Sequence, residues 1–100
     1  MPAVIRLNDM STGHGCFPPT NLVATPVSKT FVNGILAGVV SGSCQYTTHV
    51  CGIVVHPSSG RTPSSGASKT FIEGNPAARI GDDIACGDTC GEGSSNTFIE

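Results

Sequence analysis

The chain has 100 residues, only 12% of them charged, with a formal net charge of -2, 38% hydrophobic residues, 13 Gly and 7 Pro. So few charges with so many turn formers disfavour long surface helices and predict short strands joined by tight turns, while the hydrophobic share is too high and the charge too low for a disordered chain. Five Lys and Arg residues, scattered along the sequence, form no basic face for nucleic acid.

The N-terminal stretch MPAVIRLNDM has no basic region followed by an apolar run. Synthesis in the cytoplasm without a signal peptide is therefore expected, and no segment approaches the ~18 apolar residues that span a bilayer. Residues 4-VIRLND-9 read as a short strand matching 78-ARIGDD-83 further along. After the polar segment 10–27, the heptapeptide 28-SKTFVNG-34 recurs forty residues on as 68-SKTFIEG-74, and a truncated copy, 95-SNTFIE-100, closes the sequence. In each copy Thr-Phe-(Val/Ile) predicts an outgoing strand, Gly34 or Gly74 the turn, and 37-AGVV-40 or 77-AARI-80 the returning strand.

The opening residues supply a return strand without its partner, and the last residues an outgoing strand without its return. Joined, they complete a third unit. The prediction is therefore an all-β fold over residues 1–100 as a single domain, a small cone or prism of short hairpins with pseudo-threefold symmetry.

Three segments, 10–27, 43–67 and 83–95, leave the hairpins from equivalent places and should converge at one end. They contain all three histidines and all five cysteines. An odd cysteine count without an export signal favours metal ligation or buried thiols over disulfides. Converging loops can close a tetrahedral N/S site, and the expected ligands are His14, His49, His56 and Cys86, with Cys16 as a competitor for Cys86 and Cys51 for His56. Four protein ligands leave no position for water, so the site is expected to be structural, holding one zinc ion, with iron as the second choice. Cys44, Cys51 and Cys90 read as small buried apolar residues. Asp9, Asp82 and Asp83 sit at hairpin ends, where Asp closes turns. No complete nucleophile, base and orienting group is visible, and no enzymatic activity is expected.

Residues 76-PAAR-79, together with 8-NDMSTGHG-15, the turns TFVNG and TFIEG, and AARIGDDIACG, resemble the PAAR-repeat family over the full length of the chain. The resemblance implies a small β-cone with zinc near its vertex, held by three His and one Cys. The broad base would sit on a homotrimeric β-helical spike, either the central baseplate spike of a contractile phage or the valine-glycine repeat spike of type VI secretion. It further implies a monomeric tip, one copy per trimer, that sharpens the spike and transiently contacts the target cell's outer membrane. The implied location is the virion tail baseplate or the secreted type VI spike. The alternative is an adaptor docking an effector onto the spike, with 57-PSSGRTPSSGA-67 as docking surface or mobile linker. The first repeat departs from the pattern: 38-GVVSG-42 lacks the Arg and Asp of 78-ARIGD-82, so an Arg–Asp bridge is not repeated all around the axis.

Overall fold

The computed structural model describes residues 2–99. Among these residues the regular elements are β1 (Leu22–Ala24), β2 (Phe31–Val32), β3 (Ile35–Leu36), β4 (Gln45–Tyr46), β5 (His49–Cys51), β6 (Val54–His56), a 3-10 turn (Ser58–Gly60), β7 (Phe71–Ile72) and β8 (Asn75–Pro76). The strands pair antiparallel two by two: β1 with β4, β2 with β3, β5 with β6, and β7 with β8. Extents of 38 × 24 × 22 Å define one long axis and two nearly equal short ones. Among the described residues no helix is long and apolar enough to cross a membrane.

The repeated heptapeptide makes the same hairpin twice. Phe31 lies opposite Leu36 and Phe71 opposite Pro76. Both turn residues are left-handed in each copy, Asn33 and Gly34 at φ 57° and 77°, Glu73 and Gly74 at 51° and 87°. A two-residue loop of this kind matches the right-handed twist of its strands. Glu73 carries a side chain in a region that most residues avoid. Its carboxylate offsets that cost by accepting hydrogen bonds from Lys29 N at 2.9 Å, Ser28 N at 3.3 Å and Thr30 Oγ1 at 3.1 Å. The Lys29 N–H, followed by burial acting in the opposite sense and then the Ser28 and Thr30 bonds, leaves the carboxyl below its ordinary value.

The chain ends form the third hairpin. Ala3 bridges Phe98, and Val4 N donates to Thr97 O at 3.1 Å, as Ala37 N does to Thr30 O at 3.1 Å and Ala77 N to Thr70 O at 2.9 Å. Beyond these contacts the three return segments pair with one another. Ile5 N donates to Ala78 O (3.1 Å), Ala78 N to Gly38 O (3.2 Å) and Gly38 N to Ile5 O (2.9 Å), which closes a ring. A second set links the same three segments in the opposite sense: Leu7 N to Leu36 O (2.8 Å), Val40 N to Pro76 O (2.9 Å) and Ile80 N to Ala3 O (2.9 Å). The fold is an all-β prism with pseudo-threefold symmetry, closed so that the return segments have no free edge.

Two details differ from the sequence expectation. The return beside the outgoing strand runs from Ile35 to Ala37, and residues 38–40 turn to the neighbouring units. The rings also place Ile5, Gly38 and Ala78 at one level, so residues 4–9 correspond to 77–82, one residue earlier than the sequence match. The Asp82-Asp83 doublet fits either register, and the Arg-to-Asp spacing decides it: Arg6 Nε lies 2.9 Å from Asp9 Oδ2, and Arg79 Nη2 lies 2.9 Å from Asp82 Oδ1. Asp9 and Asp82 also accept from the backbone N–H of Arg6 and Arg79, closing their turns. The repeat over residues 28–42 has Val39 and Gly42 at these places.

Unequal residues at one level share the space on the axis. Ile5 is fully buried, and a Cβ added to Gly38 would lie 2.6 Å from Ile5 Cγ1 and 2.7 Å from its Cδ1. Gly38→Val is expected to cost about 1–3 kcal/mol by overpacking. Adding Ile5→Ala should restore part of that loss in urea denaturation, and a Gly38→Val protein as stable as wild type would contradict the shared-volume account.

The core continues through Val4, Leu22, Val39, Tyr46, Ala78 and Ile84. Residues 57–67 are not a loose linker. Arg61 is fully buried, Ser64 N donates to Asp83 O and Ala67 N to Ala77 O, both at 2.8 Å. Low local charge and Ser/Gly/Pro content resemble a linker, yet each of these backbone groups is committed to the repeat over residues 68–83.

Candidate metal centre

The three long segments are stitched pairwise. Thr12 N donates to Thr89 O (2.9 Å), Ala85 N to Thr62 O (2.9 Å) and Thr47 N to Asn21 O (3.0 Å). Each segment then presents its chemistry on a short rigid device. His14 and Phe17 close a tight loop on each other, with His14 N to Phe17 O at 3.2 Å and Phe17 N to His14 O at 2.9 Å. Gly13 precedes it at φ 75°, where a Cβ would lie 2.8 Å from Phe17 O, so only glycine fits. His49 and His56 are directly opposed in the β5–β6 hairpin, whose loop begins at Gly52. Ile53 completes the turn, and Val54 and Val55 in β6 bring the chain back to His56. Cys86 lies in a turn closed by Gly87 N donating to Ile84 O at 3.0 Å.

The result brings together His14, His49, His56 and Cys86, with one donor atom of each within 4.8 Å of all the others. Every pair of imidazole centroids is 5.1 Å apart. The ring of Phe17 packs on all three, at 3.9 Å from His56, 4.6 Å from His49 and 4.9 Å from His14. Sequence reasoning did not single out Phe17, since nothing in G-C-F-P-P sets it apart from an ordinary core residue.

The protonation pattern suits a cation. Pro18 O, an acceptor only, lies 3.0 Å from His49 Nδ1, so that nitrogen carries the hydrogen and the neutral ring keeps Nε2 as its acceptor. That Nε2 faces His56 Nδ1 at 3.1 Å. Burial pushes the His49 imidazole below its ordinary value against the pull of Pro18 O, and the Arg61 and His14 charges add to the lowering. Both ring nitrogens of His14 are buried with no hydrogen-bond partner. A buried polar atom left unpaired costs about 1–3 kcal/mol, and three imidazole nitrogens around one thiol are the donor set that zinc accepts. The cluster therefore can hold a metal ion.

Behind the cluster stands a group that sequence reasoning passed over. The guanidinium of Arg61 pairs with Asp88, Nη2 to Oδ2 at 2.5 Å, with both side chains fully buried. Arg61 Nε also donates to Cys86 Sγ at 3.3 Å. Burial raises the Asp88 carboxyl, but hydrogen bonds from Ser11, Thr12 and the Thr89 N–H, with the Arg61 charge, outweigh it and hold the group below its ordinary value.

The cysteines divide differently from the expectation. Cys16 and Cys51 form a disulfide, Cα atoms 5.5 Å apart, so neither is a free thiol and neither competes as a ligand. Cys51 is thus not a buried apolar thiol. The pairing joins two loops 35 residues apart in sequence, which spacing alone could not anticipate. Cys44 and Cys90 are buried free thiols, and burial pushes Cys44 up and Cys90 up to about 12. Native protein treated with iodoacetamide near about pH 8 should leave both unmodified, because the thiolate is the nucleophile. Cys86 should become reactive only after chelation, as read by peptide mass spectrometry; modification of Cys90 in the native state would contradict its burial.

Comparison with known proteins agrees with this architecture. A family model described as PAAR motif matches residues 10–92. A 36-residue stretch, 36% of this chain, is 51% identical to Double-stranded DNA deaminase toxin A of Burkholderia cenocepacia (strain H111). The match spans only 2% of that protein.

Proposed function

Since the chain belongs to the PAAR-motif family, we propose that residues 1–100 act as one structural domain that caps and sharpens the trimeric β-helical spike of a contractile injection machine, a phage baseplate spike or a type VI secretion spike. One copy would serve each trimer. The observation that carries this reading is the closed pseudo-threefold ring of Ile5, Gly38 and Ala78. A single chain that presents three near-equivalent hairpins can meet a threefold end on all three sides, covering strand edges that a trimeric β-helix would otherwise leave open.

The second element of the reading is the point itself. A narrow end has little core, and a zinc ion held by His14, His49, His56 and Cys86 would cross-link the three segments there. Zinc is favoured over iron by the His/Cys donor set and the four-ligand closure. With no position left for water the centre would act structurally, and the domain as a whole would not be an enzyme. Val50, Ile53, Val54 and Val55 on the β5–β6 hairpin are exposed, Ile53 by 99%. Residues 30–60, which include this hairpin, contain no Asp, Glu, Lys or Arg, a composition that lets the tip touch hydrocarbon during passage through an outer membrane.

Light scattering on a mixture with the trimeric spike protein of the same organism tests the reading. The expected result is a complex with one chain per trimer. No complex, or three chains per trimer, would overturn it. A second reading, an adaptor that carries an effector on the spike, draws support from the stretch shared with a protein named as a toxin. Co-purification of an effector with the capped spike would favour it.

A further inference from the structure

Arg61 is the largest fully buried side chain, and its five N–H donors are all engaged. Nη1 donates to Thr20 Oγ1 and to Thr47 O, Nη2 to Ser11 Oγ at 3.2 Å and to Asp88 Oδ2, and Nε to Cys86 Sγ at 3.3 Å. These partners come from all three segments that build the cluster. Asp88 is itself fixed by Thr12 Oγ1 at 2.8 Å and Thr89 N at 2.9 Å, so the planar fork has one orientation. Four of its bonds hold the guanidinium, and the fifth is delivered to the sulfur.

Balancing the Asp88 charge requires only a cation. What the buried arginine adds is a directed, charged N–H on the Cys86 sulfur, from a guanidinium that is itself closed to solvent. Charge-assisted hydrogen bonds are roughly twice as strong as neutral ones, and the partners of a ligand atom tune its donor strength.

We propose that Arg61 is a positioning residue of the metal centre: its Nε–H fixes the Cys86 sulfur and withdraws electron density from it, setting the affinity for the metal and the strength of the metal–sulfur bond. The inference rests on the metal-centre reading above. Cobalt(II) reports on it directly, because a thiolate bound to cobalt gives a near-ultraviolet charge-transfer band whose energy follows the electron density on sulfur. Wild type, Arg61→Lys and Thr20→Val are loaded with cobalt(II), and zinc affinity is measured by chelator competition. Arg61→Lys keeps a charge beside Asp88 but loses the fork, whereas Thr20→Val loses one guanidinium bond and leaves the sulfur contact.

Arg61→Lys should move the band and weaken zinc about 10–100-fold, the range typical of lost outer-sphere partners, while Thr20→Val should leave the band in place. A band and affinity in Arg61→Lys equal to wild type would overturn the proposal and leave the metal centre intact. A wild-type protein that binds cobalt without a thiolate band, or binds no metal, would overturn the metal-centre reading and this proposal with it. If Arg61→Lys does not fold, the double variant Arg61→Met/Asp88→Asn, which removes both buried charges, supplies the same two readouts. A shifted band with weakened zinc then supports the proposal, and an unmoved band with wild-type affinity overturns it.

Discussion

His49→Ala should yield a protein without stoichiometric metal that melts about 20 °C below wild type. A ligand bound only by the folded state and present at about a thousandfold its dissociation constant stabilises by about 4 kcal/mol. For a domain of this size each kcal/mol corresponds to about 4–8 °C. The loss is bounded because the ring around Ile5, Gly38 and Ala78 and the core beneath it do not depend on the cluster. Secondary structure should therefore survive at low temperature, unlike a zinc finger, which unfolds without metal. Elemental mass spectrometry and calorimetry check both halves. Chelation should bring wild type to the melting point of the variant and leave the variant unmoved, and acid should act like the chelator because protons compete for three imidazoles. A variant that keeps one metal per chain, or wild type indifferent to chelation, would remove His49 from the ligand set.

Asp88→Ala should cost about 3–5 kcal/mol, the range for removing one partner of a buried ion pair. It strands the Arg61 guanidinium where both side chains are fully shielded from water. It also removes one acceptor each from Thr12 Oγ1 and Thr89 N. By contrast, Asp9→Ala and Asp82→Ala should cost less, because Arg6 and Arg79 remain 17% and 20% exposed and water can solvate them. Urea denaturation of the three variants orders them. The double variant Arg61→Met/Asp88→Ala should lose less than the sum of its singles, since no uncompensated charge remains. Equal losses for Asp88→Ala and Asp9→Ala would show that the buried pair has no special weight.

Much of the fold was legible because it is repeated. Asn33-Gly34 and Glu73-Gly74 are local signals for a two-residue loop, and Phe31 and Phe71 occupy the same place in each copy, so two copies and the matching chain ends were enough to infer a third unit and a closed ring. The cluster of His14, His49, His56 and Cys86 was legible for a related reason: polar, metal-capable residues are concentrated in the three segments outside the hairpins, and equivalent hairpins send their connections to the same end.

What remained hidden depends on which distant groups meet. Arg61 sits in a Ser/Gly/Pro-rich stretch that reads as a linker, and only Asp88, 27 residues away, makes its burial tolerable. The Cys16–Cys51 bond likewise joins loops whose approach no spacing rule contains. Phe17 becomes special only when three imidazoles surround it. The sequence match set residues 4–9 against 78–83, and the ring of backbone hydrogen bonds places them one residue earlier, against 77–82. Turns, repeat and the gathering of ligands follow from local conformational preference and periodicity, and so were already written in the order of the residues. The buried pair, the disulfide and the register were settled by folding, because burial and pairing belong to the packed arrangement and not to any short stretch of chain.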